Sequence, residues 1–154
     1  SLDFGVVVVD DREELANKER FPLADEVKLG DFSSVTRSVE FREDDCGVIV
    51  TRGHQHDETV LGECLSKERL PRYIGMIGSR EKIATIFSHL KEQGVSEQLL
   101  ARVRAPIGLD IGAETPAEIA LSIMAEIVAD RYGKRAGQAT SEIVSKGAKN
   151  RECD

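Results

Sequence analysis

The chain has 154 residues, a net charge of −7, 40% apolar and 32% charged side chains, enough for one domain with its own core and too little for two of ordinary size. The acidic balance excludes the basic patch that non-specific nucleic-acid binding requires, and it offers no attraction to an anionic membrane. No apolar run approaches the roughly 20 residues that span a bilayer, and the opening Ser1-Leu2-Asp3 lacks a basic signal-peptide head, so a soluble, cytoplasmic protein is the expectation.

In chain order, residues 6–9 are four valines followed by Asp10, Asp11 and Arg12. A short continuous Val run of this kind predicts a strand buried on both faces, as in parallel sheets. Residues 26–29 give a second extended segment, with weaker support. Residues 47–51 predict another buried strand, residues 73–77 a third, and residues 102–107 a shorter, more polar one. Between them lie helical patterns. Asp57 is placed to cap a helix carrying Val60, Leu61, Cys64 and Leu65. Ser79 caps the next, where Ile83, Ile86, Phe87 and Leu90 share one face and Gly94 makes the stop. Ser96 opens a short helix through Leu99 and Leu100. Strands alternating with helices of this length predict βα units and a parallel sheet.

The last helix has the clearest start: Thr115-Pro116-Ala117-Glu118 is a capping box with proline at the first helical position. Beyond it the helix is apolar over most of its circumference, and Glu118, Ser122, Glu126 and Asp130 form its polar stripe. Such a helix predicts burial against more than one surface, the sheet and either another subunit or a neighbouring domain. From residue 133 to the end the chain holds five Lys or Arg and three Asp or Glu, so this tail is net +2 against −9 for the rest. With almost nothing to bury, it reads as a polar tail, loosely attached or disordered. Cys46, Cys64 and Cys153 include no Cys-x-x-Cys pair. Cys46 and Cys64 read as small buried hydrophobes and Cys153 as exposed, in a reducing compartment.

Ligands of open parallel sheets bind beyond the carboxyl ends of the strands, and those ends hold the candidate residues. At the first, Asp10 or Asp11 suits an adenosine ribose and Arg12 a 2′-phosphate; either aspartate equally suits a helix cap. At the second, His54, His56 and Asp57 raise a metal site. Without a fourth ligand the solvated-loop reading prevails and no metal is expected. At the third, Gly75 leads through Gly78 and Ser79 to Arg80 and Lys82. Free amides at a helix start, joined by a basic pair, form a cradle for an anion or phosphate. At the fourth, the apolar loop containing Pro106 and Gly108 reads as a packing loop more than a binding wall. No nucleophile elbow, P-loop or HExxH motif occurs, so no catalytic residue is nominated.

Residues 6–12, 20–25 (Arg-Phe-Pro-Leu-Ala-Asp), 73–80 with Lys82, and above all 105–120 (Ala-Pro-Ile-Gly-Leu-Asp-Ile-Gly-Ala-Glu-Thr-Pro-Ala-Glu-Ile-Ala) resemble the C-terminal Rossmann domain of the XdhC/CoxI accessory-factor family. The resemblance implies a Rossmann-like α/β domain over residues 1–132, truncated at its start, with residues 133–154 as the tail. It implies an accessory factor for molybdenum hydroxylases of the xanthine dehydrogenase type. Such a factor binds the molybdenum cofactor (molybdopterin) as cargo, aids its sulfuration with a sulfurtransferase, and inserts it into the hydroxylase apoenzyme. By the same match Asp10, Asp11, His54, Asp57, Gly78, Ser79 and Arg80 line the ligand crevice. The competing readings are an NAD(P)-binding oxidoreductase and a nucleotide-sensing regulatory domain. The family's first strand, its Gly-rich turn and its N-terminal cysteine-bearing domain have no counterpart here. A Rossmann sheet without its central first strand separates the strand at residues 6–9 from that at 47–51. Direct pairing of these two, or pairing with another chain in a homo-oligomer, is therefore expected, with dinucleotide affinity largely lost.

Overall fold

The computed structural model of the protein describes residues 2–134; the tail beyond Lys134 lies outside the described residues. The chain divides into two compact units, Ser1–Glu40 and Phe41–Asp154.

In the first unit, β1 (Val7–Asp10) and β2 (Glu26–Leu29) pair in parallel, with Val7 opposite Glu26 and Asp10 opposite Leu29. Branched Cβ atoms stiffen χ1 and suit the pleated backbone, which is why the Val run is extended. Burial on both faces does not follow, however: Val6 and Val7 are exposed. The reason is that β1 has a strand partner on one side only among the described residues. Helix α1 (Phe32–Ser38) follows β2 and has no counterpart among the sequence expectations. Asp31 caps it, accepting from the Ser34 amide at 2.9 Å, and only Phe32 and Thr36 are buried. One aromatic and one threonine among serines make too faint a period to read.

The second unit is a parallel sheet of β3 (Cys46–Ile49), β4 (Tyr73–Met76) and β5 (Val103–Arg104), with β4 in the centre. All four β4 residues are buried, as a central parallel strand requires. Helices α2 (His54–Leu65) and α3 (Arg80–Glu92) follow β3 and β4, the short α4 (Glu97–Leu100) precedes β5, and α5 (Pro116–Arg131) closes the unit. The core joins Ile49, Ile74, Met76 and Val103 of the sheet to Leu61, Ile83, Ile86, Phe87, Leu90 and Leu100 of the helices. Gly94, at φ +94°, ends α3 in a left-handed turn. There the Val95 amide reaches the Leu90 carbonyl at 2.9 Å and the Gly94 amide that of Lys91 at 3.0 Å.

Among the described residues, β1 pairs with β2 alone in the first unit and β3 with β4 alone in the second. Strand β3 stops at Ile49 because the Thr51 amide turns to the Asp57 carboxylate at 3.1 Å. Strand β5 is cut to two residues by Ala105-Pro106, since proline brings no N–H to a ladder. Asp57 is not the cap of its helix. Gly53 holds that place without a side-chain bond, and Asp57 sits fully buried in the first turn.

Helix α5 begins as its sequence requires. The Glu118 amide donates to Thr115 Oγ1 at 3.3 Å, and the Thr115 amide donates to Glu118 Oε2 at 2.8 Å. Its polar stripe, however, turns inward. Ser122 and Glu126 are buried, while Leu121 is 62% exposed. The cause lies in the loop after β5. Gly108, at φ +97°, approaches so closely that a Cβ there would lie 2.4 Å from Ser122 Oγ, and its amide donates to Glu126 at 2.9 Å. The same loop sets Ile107 on β4, where a Cβ on Gly75 would lie 2.4 Å from Ile107 Cδ1 and 2.8 Å from the Tyr73 hydroxyl. Replacing Gly75 by Ala should therefore cost about 1–3 kcal/mol through overpacking. A urea unfolding midpoint unchanged by the substitution would show that Ile107 does not rest on β4.

Candidate functional site

The carboxyl ends of β3 and β4 meet the first turns of α2 and α3, and one buried carboxylate ties them together. Asp57 Oδ1 accepts from the Thr51 hydroxyl at 2.6 Å and the Thr51 amide at 3.1 Å. Its Oδ2 takes the ammonium of Lys82 from α3. Thr51 is at the end of the sheet, Asp57 is fully buried, and the Lys82 side chain is mostly buried. A charge in such surroundings is held only when paired and hydrogen-bonded, and Asp57 is both.

Around this pair stands the third of the predicted strand ends. Ser79 caps α3, its hydroxyl oxygen accepting from the Lys82 amide at 3.2 Å. Gly78 precedes it, and a Cβ there would meet Lys82 Cδ at 3.0 Å, so the glycine makes room for the lysine stem. Arg80 and Glu81 open the helix in exposed positions. The Glu81 carboxyl is held below its ordinary range, first by its own backbone amide and then by the Ser79 hydroxyl. The basic pair read from the sequence thus divides. Lys82 serves Asp57, and Arg80 remains at the exposed helix start. His54 is exposed at the first position of α2, with His56 half-buried nearby. Among the described residues no group of three or more His, Cys, Asp or Glu is placed to hold a metal ion.

The predicted residues of the loop after β5 are bound into the protein. Pro106 is half-buried, the Ile107 amide donates to the Met76 carbonyl at 3.1 Å, and the Leu109 amide to that of Ser122 at 3.2 Å. Gly75 lies under Ile107, so its open side is filled by the chain itself. Glu126, which the sequence places only in a polar stripe, is the centre here: the Tyr73 hydroxyl donates to its carboxylate at 2.6 Å and the Gly108 amide at 2.9 Å. Burial, and then the Glu126 hydrogen bond, push the Tyr73 phenol far above its ordinary pKa, so it is no proton donor for chemistry near neutral pH. One turn on, Asp130 faces Arg72 at 3.3 Å and Arg104 at 3.5 Å. The signal for this network was present, as polar residues at every fourth position of a largely apolar helix, Glu126 and Asp130 among them.

In the first unit, Asp10 closes β1 and is gripped by Arg12. The arginine Nε donates to Oδ1 at 2.9 Å and Nη2 to Oδ2 at 2.9 Å, and the Arg12 amide adds a bond at 3.0 Å. Asp11 is half-buried beside them. Burial pushes the Cys64 thiol up to about 11, which leaves it inert, and Cys46 is raised by the same cause.

Parallel strands in the orders β1-β2 and β3-β4-β5, with helices following them, define a Rossmann-like α/β protein. The chain belongs to the XdhC Rossmann domain family, whose model matches residues 1–127. It is similar to the uncharacterised protein YqeB of Escherichia coli, at 34% identity over 71% of this chain and 20% of that protein. It is also similar to a protein of Bacillus subtilis named as a probable subunit of xanthine dehydrogenase, at 31% identity over 55% of this chain and 25% of that one. Among solved structures, it superposes on a chain described as a xanthine dehydrogenase from Bacillus halodurans with TM-score 0.71 and 34% identity. That match covers 86% of this chain and 37% of the other. The chain thus spans about a quarter or less of the length of these curated relatives.

Removing the Asp57 carboxylate strands the Lys82 ammonium and two Thr51 donors. Asp57→Ala should lower stability by about 3 kcal/mol, the scale for breaking a buried pair. Chemical denaturation tests this, and a loss under about 1 kcal/mol, typical of exposed pairs, would contradict the buried geometry.

Proposed function

We propose that this domain is part of an accessory factor that matures a molybdenum hydroxylase of the xanthine dehydrogenase type. On this reading it acts in the cytoplasm. It receives the molybdenum cofactor as cargo, works with a sulfurtransferase that supplies the terminal sulfur, and passes the cofactor to the hydroxylase apoenzyme. The observation that carries the reading is family membership along residues 1–127, joined to relatives named for xanthine dehydrogenase. The site is compatible with such cargo. Molybdopterin carries a phosphate, and the start of α3 offers backbone amides, the Ser79 hydroxyl and the Arg80 guanidinium where a strand end meets a helix. The residues nominated there are Gly78, Ser79 and Arg80, with His54 at the neighbouring helix start; Asp57 and Lys82 act behind them by fixing the two helices. An accessory role also suits the absence of any nucleophile elbow, P-loop or HExxH motif from the sequence. The broadly apolar α5, with Leu121 exposed, supports working as a homo-oligomer.

A second reading, binding of NAD(P), draws on Asp10 at the carboxyl end of β1. That is the position from which a carboxylate holds an adenosine ribose. Arg12 already occupies this carboxylate with two side-chain bonds, so a ribose must displace them, which weighs against the reading.

Arg80→Ala should weaken binding of a pterin phosphate to the full natural polypeptide by about 1–3 kcal/mol, the worth of a charge-assisted hydrogen bond, in calorimetry. A strain lacking that polypeptide should contain hydroxylase protein deficient in sulfurated cofactor. Fully active hydroxylase in such a strain would contradict the maturation role, whereas unchanged affinity in Arg80→Ala would only move the site.

A further inference from the structure

The loop between β5 and α5 is fastened at both ends and slack between them. On one side the Gly108 amide donates to Glu126 at 2.9 Å and the Leu109 amide to the Ser122 carbonyl at 3.2 Å. On the other, the Glu114 and Thr115 amides donate to the Glu118 carboxylate at 2.9 and 2.8 Å. Between these points Asp110, Ile111, Gly112 and Ala113 make no hydrogen bond or ion pair among the described residues. Asp110 is exposed, Ile111 is 51% exposed, and Gly112 turns at φ +71° with nothing within 4 Å of a Cβ placed there. A stretch with so few contacts lies at the low-stability end of a structure and moves most readily.

This stretch belongs to the same end of the sheet as the start of α3. Strand β5 runs parallel to β4, so the loops after both strands open on one side, and the Ile107 amide meets the Met76 carbonyl at 3.1 Å, two residues before Gly78. An exposed isoleucine is ordinary by itself. A carboxylate beside it is not what an anion alone would select, because Asp110 repels a bare phosphate. The pair suits a ligand that carries, away from its phosphate, a flat ring edged with hydrogen-bond donors.

We infer that residues 110–113 close on the pterin ring of the cargo, with Ile111 laid on the ring face and the Asp110 carboxylate accepting two hydrogen bonds from its aminopyrimidinone edge. The inference rests on the cargo reading above and adds to it the residue that selects the ring. On that edge a pterin presents a ring N–H and an amino group side by side. An ionised carboxylate, an acceptor with two oxygens, answers both at once. A dioxopteridine has a carbonyl in place of the amino group. It turns an oxygen toward the same carboxylate and is rejected, since neither oxygen has a proton to share. Gly112, already in a left-handed turn and free of neighbours, is the point about which the stretch swings.

Calorimetry on the full natural polypeptide with two probes, a pterin phosphate and the matching dioxopteridine phosphate, tests this. The intact protein should favour the pterin by about tenfold or more, the scale of a hydrogen bond to a charged group. Asp110→Asn exchanges one acceptor for a donor and should reverse the preference, binding the pterin about tenfold more weakly and the dioxopteridine more tightly. Ile111→Ser should weaken both probes alike. With the pterin phosphate bound, the amides of residues 111–113 should gain about tenfold or more protection from hydrogen exchange. Both side chains are exposed and Asp110 has no hydrogen bond to lose, so both variants should keep the parent melting temperature, which separates lost binding from lost fold. An unchanged preference in Asp110→Asn, or equal exchange with and without the probe, would overturn the clamp; the cargo reading would stand if Arg80→Ala still weakened both probes. Binding of neither probe to the intact protein would remove the cargo reading and the clamp with it.

Discussion

A single buried carboxylate organises the carboxyl ends of β3 and β4. Asp57 has no access to water, so it has to find its partners within the protein. It takes them from two places: the backbone and hydroxyl of Thr51 at the end of the sheet, and Lys82 on the next helix. The first turns of α2 and α3 are fixed against each other as a result. Whatever binds beyond the strand ends meets two helix starts whose separation is set before it arrives. This preorganisation lowers the ordering cost of binding.

A second buried carboxylate performs the same office on the other side of the strands. Glu126 draws the Tyr73 hydroxyl and the Gly108 amide to itself, holding the loop after β5 against α5 while Ile107 fills the space over Gly75. Glu126 explains why residues 107–109, in the most distinctive stretch of the chain, are bound into the protein. Gly108 and Ile107 answer to close approaches within the protein, whereas Gly112 stands in open space and Ile111 is exposed.

Much of this was legible in the sequence, and the exceptions share a cause. The valine run, residues 47–51 and residues 73–77 marked parallel strands, and the α3 face and the α5 capping box were readable from spacing alone. These are properties of local period and local hydrogen bonding. Asp57 was mistaken for a cap because capping and burial begin from the same letter at the same place; only Lys82, 25 positions later, decides between them. Glu126 was hidden likewise, since an acid on an apolar helix reads as its wet face until Tyr73, 53 positions away, is brought beneath it. The exposure of Val7 and Val48 was unreadable for a different reason: among the described residues each lies on a strand paired on one side only, and local period does not report how many partners a strand has.

The central claim, that the domain carries a molybdenum-cofactor cargo at the strand ends around Ser79 and Arg80, is tested most directly by native mass spectrometry. The natural polypeptide would be purified from a host that makes the cofactor, intact and as the Arg80→Ala variant. The account predicts a bound molybdopterin mass on the intact protein that is lost or much depleted on the variant. A dinucleotide mass in its place, or no retained ligand at any loading of the host, would contradict it.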